Sequence, residues 1–437
     1  MLNLVGVIVA FVIIILLIRK KFNFGLSLIL GSIIVGIFSL EIISPEDILK
    51  AFIEASFYSY ETNQIVTDTI ELALLMTFIF VLAKCMQETG AIKKLIDSFR
   101  TIFTKGGTLG VIPAVYGLMP VPGGALFSAP AIDEEGEKYN LDKNQKNFLN
   151  VWFRHIWFPI YPISSAMITL IALVSVYTFE NNLNIEIDIS MLILANFPAF
   201  IASILIGIFF LNRFISKIPK QNKKEQKDYS GFIYLLPPIL PLFFYGILRI
   251  FGMTSIRSFL VGVIFSIILL FLLIKVDKND FIRLIKRSLT INLALAIFGI
   301  MIFREILNTS GASQEIANII GNTVIPPISM VVIIPLILGV LTGYNLGAIG
   351  LSFPIVSQFF PASMNIITLI GLTSLIFMSS LVGYLISPIH LCNVLSSDYL
   401  KTDTTRMYRV FIPAALSLLT IQLIIIIVIV YLFGSLF

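Results

Sequence analysis

Apolar runs long enough to cross a lipid bilayer recur along nearly the whole chain, and they limit the fold more than any other feature. They fall at about 2–18, 22–40, 66–87, 148–178, 189–212, 231–250, 256–275, 289–307, 364–390 and 408–435. About 20 apolar residues cross the hydrocarbon core as a helix. Composition agrees: of 437 residues, 57% are hydrophobic and 13% charged, with mean hydropathy +0.98, whereas a soluble domain carries about 25% charged residues. The chain is therefore read as an all-α integral membrane protein with ten transmembrane helices. The first run precedes Arg19-Lys20-Lys21, the wrong flank for a cleaved signal peptide, and is read as a retained span. Two cysteines, Cys85 and Cys392, and two histidines, His155 and His390, are too few for a disulfide framework or a repeated zinc site. The net charge of +5 sits in short blocks between apolar runs, which argues against nucleic acid as a partner and for a topology signal.

Basic connections stay on the cytoplasmic side of a membrane. Of the 30 Lys and Arg, all but Lys50, Arg154, Arg249, Arg257 and Arg304 fall in alternate connections or at their edges. The other connections include acidic stretches such as Glu41 to Glu61 and Glu180 to Asp188. Both termini are accordingly expected outside, with the basic loops cytoplasmic and the protein in the plasma membrane. The alternation closes only if two apolar stretches enter and return on one side, at about 107–129 and 324–358. Pro120-Val121-Pro122-Gly123-Gly124 interrupts the first and Gly343-Tyr344-Asn345-Leu346-Gly347 the second. Such breakers are tolerated at membrane depth where backbone is buried in protein or lines a wet cavity. Both stretches are read as re-entrant helical hairpins.

Sliding the chain on itself by 221 residues aligns Leu72-Ala73-Leu74 with Leu293-Ala294-Leu295, Ile79 with Ile300, and Gly90-Ala91 with Gly311-Ala312. The order of elements repeats as well: three spans, hairpin and two spans in 1–212, a basic linker at 213–230, then the same series in 231–437. The run at 66–87 ends beside Lys93 and Lys94, whereas its partner at 289–307 ends in an uncharged segment. The two five-helix repeats are therefore read as inverted. After each hairpin comes a run broken by proline, 148–178 at Phe158-Pro159-Ile160-Tyr161-Pro162 and 364–400 at Ser387-Pro388. Proline removes an N–H and frees backbone groups, and inverted repeats with interrupted helices bind substrate and ions near the midplane in secondary transporters.

This arrangement resembles the ion transporter superfamily, which includes dicarboxylate/sodium symporters, gluconate permeases and certain Na+/H+ antiporters. Met119 to Ser128 and the run Trp152-Phe153-Arg154-His155-Ile156-Trp157-Phe158-Pro159 further resemble a prokaryotic ten-span family, domain of unknown function 401. The resemblance implies that tips and breaks line the substrate site, and that hairpin domains move elevator-fashion against the scaffold of a homodimer. The dicarboxylate branch carries Ser-Asn-Thr at both tips; here one tip is Pro120 to Gly124 and the other Thr342-Gly343-Tyr344-Asn345.

The candidate substrate-binding residues are Pro122, Gly123, Gly124 and Ser128 at the first tip and Arg154, His155, Ser164 and Ser165 along the first break. Thr342, Gly343, Tyr344, Asn345 and Gly347 stand at the second tip, and Ser387, Pro388, His390 and Asn393 along the second break. Half-helix N-termini hold anions, and neutral oxygens suit a monovalent cation, so Na+ is expected near Gly123, Ser164, Asn345 and Ser387. Arg154 either binds a substrate carboxylate or, with Trp152 and Trp157, anchors the cytoplasmic interface. The histidines either titrate or satisfy loose backbone. Arg304 and Glu305 are read as a local ion pair, with proton coupling at Glu305 as the alternative, and Asp68 and Glu71 as solvated. The leading function is a secondary transporter of a small organic anion, a carboxylate or sugar acid, coupled to Na+ or H+. The alternative is a cation/proton antiporter, and more remotely an intramembrane enzyme using Ser387 and His390, whose spacing meets no known catalytic pattern. No cofactor is expected.

Overall fold

The computed structural model describes residues 2–60, 63–103, 106–118, 123–215, 228–321, 326–361 and 363–434; Pro122 lies outside them. The first half runs α1 Leu2–Arg19, α2 Phe24–Phe38, α3 Pro45–Ser56, an antiparallel ribbon pairing Tyr58–Ser59 with Gln64–Ile65, α4 Asp68–Glu88, α5 Ala91–Ile102, α6 Gly107–Gly117, α7 Ala125–Glu137, α8 Lys143–Arg154, α9 Ser165–Glu180 and α10 Ile189–Phe214. A 3-10 turn, Ser230–Leu235, opens the second half. It leads into α11 Leu236–Ile250, α12 Ser255–Leu273, α13 Lys278–Ser288, α14 Ile291–Thr309, α15 Ala312–Gly321, α16 Pro327–Thr342, α17 Asn345–Val356, α18 Ile366–Ile386, α19 Leu391–Leu400 and α20 Thr404–Phe433.

Eight helical segments among the described residues are long and apolar enough to cross a membrane. Of the ten expected spans, 22–40 is the 15-residue α2, and 148–178 is divided between α8 and α9, with no helix from 155 to 164. Sequence reading missed α3, α5, α13 and α15. Each mixes charged or polar residues with apolar ones and runs only 10 to 12 residues, so a search for long apolar runs passes over them.

Helix starts follow from the orphan N–H groups of a first turn, which side-chain oxygens can satisfy. Asn23, Asp188, Thr254, Asp277, Thr290, Asn365 and Asp403 each accept such a bond at the head of their helices. Ser44 with Asp47 and Asp142 with Gln145 form reciprocal boxes. Helices α5 and α15 instead start after Gly90 and Gly311, at φ of 74° and 67°, a left-handed backbone that favours glycine. These two positions are the pair aligned by the 221-residue shift.

Between lipid-facing helices there is little hydrophobic drive, so small residues that let backbones approach decide packing. A Cβ on Gly25 of α2 would strike the Leu295 carbonyl of α14, and one on Gly383 of α18 would strike the Leu336 carbonyl of α16. Helix α18 is buried along most of its length, whereas α1, α11 and α20 turn most of their apolar surface outward. Contacts between the halves come in exchanged pairs. Helix α4 packs on α12 and α14 on α2; α9 packs on α17 and α19 on α7; α10 packs on α18 and α20 on α8; α3 packs on α14 and α13 on α4.

Basic residues outside the alternate connections find partners. Lys50 pairs with Glu46 at 2.9 Å, and Arg249 with Glu186 at 2.9 Å. Arg257 grips both oxygens of Glu71, so that carboxylate is ion-paired rather than merely solvated. Arg304 meets Glu305 at 3.5 Å as expected, but it also pairs with Glu180 at the end of α9, which joins the two halves.

Candidate functional site

The site grows from two places where a helix stops. Helix α8 ends at Arg154, and the chain then passes through single turns, with Phe158 N–H donating to His155 O and Ser164 N–H to Tyr161 O. Pro159 and Pro162 have no N–H to extend an α-helical ladder. In the second half α18 ends at Ile386, and Ser387 is extended, with φ of −67° and ψ of 133°. A residue before proline is pushed out of the helical region in this way. Helix α19 resumes at Leu391.

Each break terminates an earlier helix of its own half, α6 in the first and α16 in the second. The last carbonyls of a helix lack internal donors. At the end of α6, Ala114 O accepts from Trp157 Nε1 at 3.0 Å, Tyr116 O from Arg154 Nη1 at 2.8 Å, and Leu118 O from the Tyr161 hydroxyl at 2.6 Å. At the end of α16, Val340 O accepts from the Ser387 hydroxyl at 2.6 Å. Arg154 is 2% exposed; it is not a headgroup anchor but a buried cation against the negative end of α6, where positive charge is favoured. Its guanidinium also fills the place of a side chain on Gly124, where a Cβ would overlap it. Trp152 and Trp157 are likewise committed to backbone, Trp152 to Ser203 O.

The two breaks meet. His155 and His390 lie with ring centroids 4.9 Å apart, and the Tyr384 ring is 4.1 Å from that of His390. His155 Nδ1 is 2.6 Å from Val151 O. A carbonyl only accepts, so Nδ1 carries the proton and Nε2 offers a lone pair, with the Tyr384 hydroxyl 3.3 Å away. Cys392 joins them: the two histidines and this thiol bring ligand atoms within 4.8 Å of one another, all buried. Among the described residues these three could hold a metal ion. Among the described residues neither ring nitrogen of His390 has a nitrogen or oxygen hydrogen-bond partner, although buried polar groups usually do.

A polar seam continues from this junction between the halves. On α8, Asn150 donates to Ser396 at 2.8 Å and to Ala125 O at 2.9 Å, and accepts from Ser128 at 2.5 Å. Asn147 donates to Ser397 at 2.9 Å and Asn393 at 3.2 Å. Tyr408 of α20 accepts from Asn393 at 2.7 Å and donates to Ser387 O at 2.6 Å. Gly123 abuts Leu391 and Leu395 of α19, and Gly343 abuts Ile389 in the second break.

Arg154, His155, Gly123, Gly124, Ser128, Gly343, Ser387, His390 and Asn393 are thus joined through shared contacts. The remaining second-tip residues turn elsewhere. Asn345 accepts from Ser380 at 2.8 Å, Thr342 bonds Leu338 O, and Tyr344 and Gly347 face Phe24. Ser164 makes no side-chain capping bond at the head of α9, and Pro388 is exposed. Sequence reasoning missed Asn147, Asn150, Tyr384, Cys392, Ser396, Ser397 and Tyr408 as site residues. The spacing of Asn147 to Asn150 and of Asn393 to Ser396 and Ser397 puts each group on one helix face, which is the one signal that was available. A gap of about 10 Å³ lies beside His155, lined by Trp152, Ile156, Ser203, Leu385, Phe411 and Leu418, space for about one water. A solute would require the helices to part.

A bundle of apolar helices whose buried polar junction is made from helix breaks defines an all-α, multi-pass membrane protein. The chain belongs to the family described as protein of unknown function (DUF401), whose sequence profile matches residues 3–431. No curated protein sequence matches it.

Proposed function

We propose that the protein is a secondary active transporter that moves a small organic anion, a carboxylate or sugar acid, coupled to Na+ or H+ by elevator-type alternating access. The observation that carries this reading is the meeting of the two helix breaks, His155 against His390, with the hairpin glycines Gly124 and Gly343 lying against Arg154 and Ile389. Interrupted helices that converge from two halves are how inverted-repeat transporters expose backbone groups to a solute. The exchanged contact pairs support two copies of one unit related by a two-fold axis, because such symmetry makes every contact recur with partners swapped. Alternating basic loops support opposite sidedness, with both termini outside, cytoplasmic basic connections, a plasma-membrane location and a homodimeric scaffold as parts of the same proposal.

Arg154 supports an anionic solute, since a buried guanidinium suits a carboxylate. Purified protein in liposomes should accumulate a carboxylate or sugar acid only under an inward Na+ or H+ gradient, and Arg154→Gln should reduce uptake at least tenfold. Uptake indifferent to both gradients would remove the reading. A second reading, cation/proton exchange, is favoured by the paired histidines with Tyr384; pH-dependent cation flux lost in His155→Ala or His390→Ala would select it. The Ser387 hydroxyl donates to Val340 O rather than to a histidine, which weighs against a nucleophile and base at this site.

A further inference from the structure

We infer that His155, His390 and Cys392 form a binding site for one thiophilic divalent metal ion, with Zn2+ as the reference occupant. The inference stands on the side-chain geometry and does not depend on the transport reading. The three donor atoms lie within 4.8 Å of one another. In a tetrahedral zinc site the bonds are about 2.0–2.3 Å, so the donors must close by about 1 Å along their longest separation. His390 sits in the four-residue non-helical break and Cys392 in the first turn of α19, where side-chain rotation moves the donors without disturbing a long helix.

The supporting shell is already set. The Val151 carbonyl holds the proton of His155 on Nδ1 and leaves Nε2 as the ligand atom, the arrangement that fixes a metal-binding histidine. His390 is fully buried, and among the described residues neither of its ring nitrogens has a nitrogen or oxygen partner, so coordination would give it one. Two imidazoles and a sulfur select d-block ions, whereas Mg2+ and Ca2+ require several oxygens, and among the described residues no carboxylate belongs to the cluster. On binding, the Cys392 S–H proton leaves to solvent and a sulfur–metal bond forms. Three protein donors leave one tetrahedral position open for water or an anion.

The test is titration of the full-length protein in detergent with Co2+ after chelation and removal of bound metal. The expected result is one ion per chain, a sulfur-to-cobalt charge-transfer band, tetrahedral d–d absorption, and displacement of both by Zn2+ but not by Mg2+. Cys392→Ser should abolish the charge-transfer band, and His390→Ala should weaken binding by at least the 10–100-fold that loss of a supporting partner costs. Cys85→Ala should leave the spectrum unchanged. Wild-type protein that binds less than one ion per chain, or a charge-transfer band that follows Cys85, overturns the inference; the wild-type titration decides even if Cys392→Ser does not fold. Metal bound without any solute uptake would leave this site standing and count only against the transport reading.

Discussion

Arg154 shows how one residue can be both costly and fixed. A cation at membrane depth costs about 2.5–3.5 kcal/mol on insertion scales unless it finds partners, and here it finds the Tyr116 carbonyl and a cradle left by the missing side chain of Gly124. Gly124→Ala should therefore expel the guanidinium and lower stability by about 1–3 kcal/mol, read as a fall in melting temperature of the detergent-solubilised protein; the same substitution at Gly246, which meets nothing within 4 Å, should not disturb Arg154 or reduce transport. Much of this was legible in the sequence, since Arg154, His155 and His390 stand beside prolines in apolar runs. What Arg154 touches was not, because no local pattern says that a carbonyl 38 residues away needs a donor. Cys392 shows the limit more sharply: it lies 237 residues from His155 along the chain, and no spacing rule links them.

At the scale of elements, each helix break has a second task, which is to finish an earlier helix of its own half, α6 or α16. Ser387→Ala would leave Val340 O buried without its donor, and such a loss costs about 1–3 kcal/mol. Thermal unfolding should show that decrease, with Ser387→Thr retaining most of the stability. The surface helix α3 offers a milder case. Asp47 accepts from Ser44 N–H at 2.9 Å, and these backbone and hydroxyl bonds hold its carboxyl below the usual range. A carboxyl so lowered supports the helix above its ordinary range and loses that support as pH falls through the lowered value. The protection of amides at the start of α3, corrected for the intrinsic exchange rate, should accordingly fall in acid in the native chain and be already low in Asp47→Ala. The breaks were readable because proline announces itself. Helices α3, α5, α13 and α15 were not, because their charge lets them lie outside any spanning run, and the division of 148–178 removes ten residues from helix that an apolar tally counts as span.

At the scale of the whole molecule the proposed function rests on one relation, a single unit occurring twice with opposite sidedness. Element order is what suggests it in the sequence, and Gly90 and Gly311, 221 residues apart, precede α5 and α15 with the same left-handed backbone. The exchange of partners, α4 on α12 and α14 on α2, could not be read, because apolar helices advertise no partner and only glycines such as Gly25 and Gly383 fix which faces touch. Lys93 and Gln314 are counterparts under the 221-residue shift, both exposed and both early in their amphipathic helices. The most direct measurement is labelling by a membrane-impermeant maleimide of Lys93→Cys and Gln314→Cys in intact cells, each in a background in which Cys85 and Cys392 are replaced by alanine. Inverted repeats predict that position 314 reacts from outside and that position 93 reacts only after the membrane is opened. Labelling of both from the same side would contradict the account.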